Sequence, residues 1–361
     1  MRPDAAVPAA LHAARAAPAV SRVLVVKLSS LGDVIHALPV VADLHAALPA
    51  VQVDWVVEPG FAPLVRRVAG IGQVFDCAQR RWRKRWWASD VRAERRAFLA
   101  ALQASAYDAV LDLQGLTKSA LVARRARKSP AGLHYAMGNR TLGSGWEPPT
   151  RWLADRAIAL EPELHVVDRG RLFAARALGY EQAGAPRYGL AGGDGTDVTG
   201  VAARPTIVLI HGTSRDDKLW PEAHWTLLGQ RLIAAGWRIA LPQGSAAEGV
   251  RARRLAAAWG GDRAVVEVWP LMPLDALIDH MARVHAAIGV DSGLSHLAVA
   301  LDLAHVQLYN FPTAWRTGPQ ARHSPVGVAA HLVSVGGTAV PTLNEVWQAW
   351  QQVAAARGLP S

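Results

Sequence analysis

Short apolar runs alternate with amphipathic stretches along most of the chain, and this alternation constrains the fold more than any other feature. Strands are predicted at residues 23–27, 51–57, 109–113, 206–210, 237–241, 264–268, 286–290 and 305–309. Helices are predicted at residues 34–48, 90–103, 168–178, 220–235, 251–259, 274–283, 294–301 and 343–356. Because buried strands that alternate with helices form parallel sheets with both faces covered, the pattern predicts an α/β chain with doubly wound sheets.

The alternation fails once, between residues 181 and 205, where Gly, Ala, Pro and Asp leave no hydrophobic period. Such a stretch is typical of a linker, and 361 residues are enough for two cores. We expect a flexible leader at 1–20, a first Rossmann-like domain at 21–185, a linker at 186–205, a second Rossmann-like domain at 206–340 and a C-terminal helix at 341–361. Ligands of such sheets bind beyond the carboxyl ends of the strands, so we expect a site in a cleft between the domains.

Positive charge restricts the partners. The formal net charge is +10, which implies nucleic acid, a membrane surface or a phosphorylated substrate. Much of the excess lies in residues 80–96, where Trp82, Trp86 and Trp87 interrupt a run of Arg and Lys. A solvated helix face is the common explanation of a charge run, but three indoles among the cations favour a surface that faces lipid headgroups.

Composition excludes several classes of protein. The single cysteine, Cys77, permits neither an internal disulfide framework nor a cysteine-rich metal site. No apolar run approaches the roughly 20 residues that span a bilayer. Charged residues and prolines interrupt residues 1–20, so an export signal is not expected there. These features fit a cytoplasmic location.

Three polar segments each follow a predicted strand and begin a predicted helix. Residues 27–36 place Asp33 in the first helical turn, where the helix dipole favours a charged carboxylate that could take a proton from a hydroxyl. Residues 211–221 supply Thr213, Ser214 and Lys218, a set suited to a diphosphate, and residues 291–296 have the form of an anion site. Taken singly, the alternatives are a helix cap, a polar loop and a core histidine. The standard glycine-rich dinucleotide and P-loop motifs are absent.

Taken in order, these segments resemble a known family. Six motifs are similar to signatures of lipopolysaccharide heptosyltransferase I, of the ADP-heptose:lipopolysaccharide heptosyltransferase family, at residues 27–39, 54–58, 80–84, 112–116, 215–221 and 291–296. The first motif and the Arg-Arg-Trp-Arg-Lys run indicate the first heptosyltransferase of the pathway rather than the second. Ser214 and Ser292 stand where the family usually has Thr, and both keep the hydroxyl.

The resemblance implies a GT-B fold, with two Rossmann-like doubly wound domains facing across a cleft. It implies an inverting transfer of L-glycero-D-manno-heptose from ADP-heptose to a Kdo sugar on lipid A, with Asp33 as general base. The implied donor-binding residues are Thr213, Ser214, Lys218, Glu248, Met272, Asp291, Ser292, Gly293 and His296. The implied acceptor-binding residues are Arg80, Arg81, Arg83, Lys84 and Arg140. The segment 139–163, which contains Arg140, departs from the family pattern.

No obligatory metal or other cofactor is expected, since Lys218, the hydroxyls and the helix starts could neutralise the leaving ADP. The adjacent Asp216 and Asp217 look structural rather than metal-binding. The basic, Trp-bearing run predicts peripheral attachment to the anionic cytoplasmic face of the inner membrane.

Three alternatives stay open. A related family member that adds a later core heptose or another sugar would share these motifs. A nucleotide-sugar epimerase with this architecture would need no basic acceptor surface. A nucleic-acid binder would explain the charge, but the chain carries no nucleic-acid-binding motif, so no nucleic-acid partner is expected.

Overall fold

The computed structural model describes residues 20–190, 204–320, 322 and 330–361. Most of the predicted leader and linker lies outside these ranges, so the predicted domain boundaries stay predictions. The described strands are β1 (Arg22–Val26), β2 (Gln52–Val57), β3 (Ile71–Asp76), β4 (Tyr107–Asp112), β5 (Lys128–Met137), β6 (Arg156–Ile158), β7 (Thr206–Ile210), β8 (Arg238–Leu241), β9 (Val266–Val268), β10 (Ala286–Val290), β11 (Ala304–Tyr309) and β12 (Leu332–Gly336).

The helices divide between the two halves of the chain. The first half contains α1 (Leu31–Ala37), α2 (Pro39–Ala47), α3 (Ala62–Arg66), α4 (Gln79–Lys84), α5 (Ser89–Ala104), α6 (Thr117–Ala123), α7 (Pro149–Leu153) and α8 (Val166–Leu178). The second half contains α9 (Glu222–Ala234), α10 (Ala246–Ala258), α11 (Leu274–Ala282), α12 (Gly293–Ala300), α13 (Ala314–Thr317) and α14 (Leu343–Ala356). No helix among the described residues has the length and apolarity that a bilayer crossing requires.

The strands form two six-stranded parallel sheets, one in each half. The first has the order β3-β2-β1-β4-β5-β6, and the second, β12-β11-β10-β7-β8-β9, has the same winding from the opposite edge. The order switches between β1 and β4 in one sheet and between β7 and β10 in the other. Such a switch leaves a crevice beyond the carboxyl ends of the strands. The prediction of two doubly wound halves is confirmed.

Central strands are buried on both faces, which explains their continuous apolar runs. Val23 and Val25 of β1 belong to one hydrophobic cluster, whereas Leu24 and Val26 point into another on the opposite face. The first of these clusters also includes Val208 of β7, so it continues from one half of the chain into the other. The two sheets are therefore joined by packed apolar side chains as well as by the chain itself.

The prediction of one continuous helix at residues 34–48 is wrong. The chain forms α1 and α2 instead, with the break at Leu38. Pro39 is the first residue of α2, and a proline has no N–H to continue the hydrogen bonds of a preceding helix. The prediction for the last helix is confirmed, because α14 spans 343–356 and packs Val346 and Trp350 into the second core.

The halves meet through helices that flank the crevice. Gly32 of α1 lies so close to α12 that a Cβ at this position would be 2.7 Å from His296 Cδ2. The ring of His36 also packs on the ring of His296, with 4.1 Å between centroids. Farther out, the Arg67 guanidinium donates to both carboxylate oxygens of Asp279, at 2.5 and 3.1 Å. These contacts bring the start of α1 and the start of α12 to the same crevice.

Candidate active site

A cavity of about 550 Å³ lies between the two halves, at the carboxyl ends of both sheets. The three polar segments that follow β1, β7 and β10 form its walls. Of the predicted site residues, those that line it are Asp33, Thr213, Ser214, Lys218, Glu248, Asp291, Ser292, Gly293 and His296. The structure thus brings together residues up to 263 positions apart in sequence, from Asp33 to His296.

Asp33 is held as a carboxylate at the start of α1. Its Oδ2 accepts hydrogen bonds from the Ser30 backbone N at 3.1 Å and from Ser30 Oγ at 2.8 Å, and Lys27 Nζ lies 3.9 Å from Oδ1. Desolvation opposes ionisation, but Lys27 and the Ser30 hydrogen bonds outweigh it and lower the pKa of Asp33. Because 41% of the side chain is still exposed, an ionised Asp33 can reach a ligand in the cavity.

Asp291 organises the opposite wall. Its Oδ2 accepts from Lys218 Nζ at 2.6 Å, His296 Nε2 lies 3.4 Å from Oδ1, and Thr213 Oγ1 donates to its carbonyl at 3.2 Å. Burial works against the charged form, but His296 and Lys218 lower the pKa of this carboxyl strongly. Asp291 therefore fixes the positions of a cation, an imidazole and a hydroxyl around one space.

The beginning of α12 offers unsatisfied polar groups to the same space. Ser292 is the N-cap residue, and its buried Oγ has no hydrogen-bond partner within the described residues. The first backbone N–H groups of a helix also lack partners within the helix and carry partial positive charge. Gly293 permits the close approach of α1, since a Cβ there would be 3.0 Å from the Leu31 side chain. The arrangement suits an anion.

Glu248 lines the same cavity from near the start of α10. Its Oε2 accepts from the Gly244 backbone N at 2.6 Å, and Ser245 Oγ accepts from its own backbone N at 3.2 Å. A Cβ on Gly212 would be 2.5 Å from Glu248 Cδ, so the Glu248 carboxylate lies directly against the backbone that follows β7. One carboxylate oxygen, Oε1, is left for hydroxyl groups of a ligand.

Met272 is not on the cavity wall. It lies half-buried between β9 and α11 and packs against the core, and Leu277 of α11 lines the cavity instead. The structure therefore does not bring Met272 together with the other predicted donor residues.

The basic run lies away from the 550 Å³ cavity. Arg80, Arg81, Arg83 and Lys84 belong to α4 and are exposed. Arg80 Nε is 3.3 Å from Glu58 Oε1, and Arg81 pairs with Glu94. Arg140 is exposed in the loop after β5 and lines neither this cavity nor a smaller cavity of the N-terminal half.

The interpretation of the three indoles needs correction. Trp82 is buried and packs on Phe98, with 5.3 Å between ring centroids, because α4 covers the outer face of the first sheet. Trp86 and Trp87 are 64% and 60% exposed. Only the latter two are available to a partner.

A second cavity of about 290 Å³ adjoins the first in the N-terminal half. Three cationic side chains line it, and the two cavities share Ser30, Asp33, Gly143 and Arg169. The cations are Lys27, Lys118 and Arg169. The ionised Asp33 thus lies at the junction between a polar cavity in the second half and a basic cavity in the first.

Arg169 was missed from the sequence. It lies on α8, is buried, and its Nη1 donates to Thr141 Oγ1 at 3.1 Å. Burial lowers the pKa of Arg169, whereas Asp33 raises it. The helix also carries Arg171 and Arg176, so nothing in the local sequence distinguishes Arg169 as a site residue. Its position at the cavity becomes clear only from the packing of α8.

The described residues hold no cluster of three or more His, Cys, Asp or Glu side chains that could bind a metal ion. Asp217 pairs with Arg215 on the exposed loop after β7 instead. On the wall organised by Asp291, Lys218 and the start of α12 are available to a negatively charged ligand.

Known proteins share both the sequence and the fold. The model of glycosyltransferase family 9 (heptosyltransferase) matches residues 95–341. Lipopolysaccharide heptosyltransferase 1 of Escherichia coli strain K12 is 41% identical over 290 residues, which cover 80% of this chain and 87% of that protein.

Two solved structures extend the comparison. E. coli heptosyltransferase WaaC with ADP has a TM-score of 0.76 at 38% identity and covers 92% of this chain and 100% of its own. WaaC with ADP-2-deoxy-2-fluoro heptose has a TM-score of 0.74 at 37% identity, over 91% and 98% of the two chains. The predicted GT-B fold and the resemblance to the heptosyltransferases are confirmed. The chain belongs to glycosyltransferase family 9, the heptosyltransferases.

Proposed function

We propose that this enzyme transfers L-glycero-D-manno-heptose from ADP-heptose to the Kdo sugar of Kdo-lipid A, with inversion at the anomeric carbon. One observation carries the proposal: an ionised carboxylate, Asp33, faces the cation and helix start around Asp291 across a single cavity. Asp33 supplies the base, and the cation and helix start supply positive charge for the departing diphosphate. The relatives named above act as heptosyltransferases and support this donor.

The chemistry is a single displacement. Asp33 takes the proton of the acceptor hydroxyl, whose oxygen forms a bond to the anomeric carbon as the bond from that carbon to the β-phosphate oxygen breaks. ADP leaves with the electron pair of that bond. Because Asp33 and Lys218 lie on opposite halves, the hydroxyl attacks from the side opposite the leaving group, which inverts the configuration.

Charge on the leaving diphosphate is stabilised by groups already in place. Lys218 Nζ supplies a positive charge, and the Ser292 hydroxyl at the start of α12 supplies a free donor. Ser214 and Thr213, which follow β7, are assigned to the same diphosphate, Thr213 once its hydroxyl turns away from the Asp291 carbonyl. Preorganised donors of this kind need no reorganisation during the reaction. Asp291 orients Lys218, and Asp291 and His296 are assigned to the sugar. Glu248 holds the ribose hydroxyls, and Gly293 permits close approach, while Met272 as a contact of adenine stays a prediction.

No obligatory metal is part of this proposal. Full turnover should therefore persist in EDTA, with ADP release as the readout and a Mg²⁺-supplemented sample as the control. Complete loss in EDTA that only added Mg²⁺ reverses would contradict the assignment of charge stabilisation to Lys218 and the helix start.

The acceptor is assigned to the basic cavity of the first half. Kdo is a sugar acid, and Lys27, Lys118 and Arg169 converge on a cavity that ends at Asp33. The exposed residues of α4, together with Arg140, are assigned to acceptor groups outside this cavity. Charge reversal at Arg81 and Lys84 should raise the acceptor KM with little change in kcat. A fall in donor affinity would show that these residues have been misassigned.

Membrane attachment is assigned to the exposed indoles beside α4, on the cytoplasmic face of the inner membrane. Trp86 and Trp87 adjoin exposed cations, a combination that suits anionic headgroups. Sedimentation with phosphatidylglycerol-containing vesicles should fall when both indoles are replaced by Ser. Leu271, exposed on the second half, provides the control as Leu271→Ser. Equal sedimentation of the two variants would contradict the assignment.

The deciding experiment follows ADP release from ADP-heptose with and without a deacylated Kdo-lipid A acceptor. Acceptor-dependent release in the unmodified enzyme, and its near loss in Asp33→Asn, is the expected result. ADP-heptose binding without release would redirect the search to later core acceptors. Failure to bind any ADP-sugar would overturn the proposal.

A further inference from the structure

Arg316 of the second half reaches the first half across the cleft. It lies on α13, half-buried, and lines the 550 Å³ cavity. A Cβ placed on Gly143 would overlap its guanidinium, so the Arg316 side chain rests directly against the backbone of the loop after β5. Gly143 borders both cavities. The guanidinium is thus seated where the two cavities join.

A second guanidinium faces the same junction. Arg169 of the first half lines both cavities, and the charge of Arg316 acts with burial to lower the pKa of Arg169. The ion pairs among the described residues include neither arginine, and Arg169 has only the Thr141 hydroxyl as a side-chain partner. The Asp33 carboxylate at this junction offsets the charge of Arg169 in part. Two neighbouring guanidinium groups in a partly desolvated space still repel each other, and an anion bound between them would remove that repulsion.

We infer that Arg316 and Arg169 bind the carboxylate of the acceptor between them, one from each half of the enzyme. The inference rests on the proposed function, since it takes the acceptor to be a sugar acid. A planar guanidinium matches a carboxylate with two parallel hydrogen bonds, which a lysine ammonium cannot do. Acceptor recognition then belongs to both halves, and the bound acid itself holds the cleft closed.

The donor diphosphate is the competing ligand for Arg316. The proposed function assigns that group to Lys218 and the start of α12, on the wall organised by Asp291. Arg316 instead contacts Gly143, on the border of the basic cavity in the first half. Its place therefore favours the acceptor acid.

The test compares Arg316→Gln and Arg316→Lys with the unmodified enzyme. Arg253→Gln is the control, because Arg253 is an exposed arginine of the same half that lines neither cavity. Calorimetry measures the affinity for the Kdo-bearing acceptor in the presence of ADP, and separately the affinity for ADP. The same titrations are repeated with the methyl ester of the acceptor carboxyl, which keeps the sugar and removes the charge.

Arg316→Gln should weaken binding of the acid by ~10- to 100-fold, the usual worth of a hydrogen-bonded charge. The affinity of Arg316→Gln for the ester should match that of the unmodified enzyme within a few-fold, because the ester lacks the carboxylate that Arg316 would bind. Arg316→Lys should recover only part of the loss. ADP affinity should be unchanged in each variant, and Arg253→Gln should behave as unmodified.

Two results would overturn the inference. Normal affinity of Arg316→Gln for the acid would show that the guanidinium does not bind it, and a matching loss of ADP affinity would assign Arg316 to the diphosphate. Heptose transfer by the unmodified enzyme is followed in parallel. Absence of transfer would count against the proposed function alone, since the binding comparison is read without turnover.

Discussion

Replacement of Gly32 by Ala tests whether the contact between α1 and α12 is needed for catalysis. The new Cβ would lie 2.7 Å from His296 Cδ2, well inside the 3.4 Å at which ordinary van der Waals contact begins. His296 has little freedom to yield, because its Nε2 lies 3.4 Å from Asp291 Oδ1 and its ring packs on His36 at 4.1 Å. The strain is relieved most cheaply when the two halves separate slightly.

The expected effect is on turnover rather than on folding. A misplacement of about 1 Å between reacting groups costs ~10²-fold in rate, so kcat should fall by about that factor. Ala is also the better helix former by about 1 kcal/mol, so the first half should unfold at the same or higher urea concentration. ADP affinity should change less than kcat, because Lys218 and Glu248 are not displaced.

Gly60→Ala is the matched control, because a Cβ at Gly60 meets nothing within 4 Å. The assay is acceptor-dependent ADP release, with urea unfolding of each variant. Turnover of Gly32→Ala equal to that of Gly60→Ala would refute the reasoning, since the closed contact could not then be part of the active geometry. A large loss of stability with proportionate loss of activity would show instead that His296 cannot move away.

Three further outcomes follow from charged groups. Asp33→Asn should lower kcat by ~10²- to 10⁴-fold. Since Lys27 and the Ser30 hydrogen bonds lower the pKa of Asp33, base function should persist until the pH falls below the ordinary range of an aspartate carboxyl; a pH–rate profile that loses activity near neutrality would contradict this. Asp43→Ala should cost ~3–5 kcal/mol in urea unfolding, because it removes the partner of Arg171, whose side chain is 2% exposed. Asp279→Asn should cost less than ~1 kcal/mol, because its pair with Arg67 is exposed; a similar cost for both variants would refute this distinction.

Much of the fold follows from local patterns. The runs that became β1, β7 and β10 are apolar on both faces, and this is visible in sequence because successive residues of a strand point to opposite sides. β5 was missed because Pro130 and Gly132 interrupt its apolar run. It forms because β4, already buried, offers it a row of hydrogen-bond partners.

The candidate site could also be predicted only in part from the sequence. The polar segments that contain Asp33, Lys218 and Asp291 follow strands, and parallel strands bring such segments to one edge, so their proximity could be predicted. The inward position of Trp82 and the absence of Met272 from the cavity wall could not, because each depends on which neighbour a side chain packs against.

The sequence by itself therefore determined the two-sheet class, the three polar segments and the family signatures. These depend on residues close together in the chain. Only the tertiary structure decided that Arg169 and Arg316 face one junction and that His36 packs on His296. Those contacts join different halves, and they exist because glycines at 32, 143 and 293 let the halves approach closely. The hydrophobic periodicity of a segment carries no information about how closely the two halves approach, because that distance is set by the packing of whole domains.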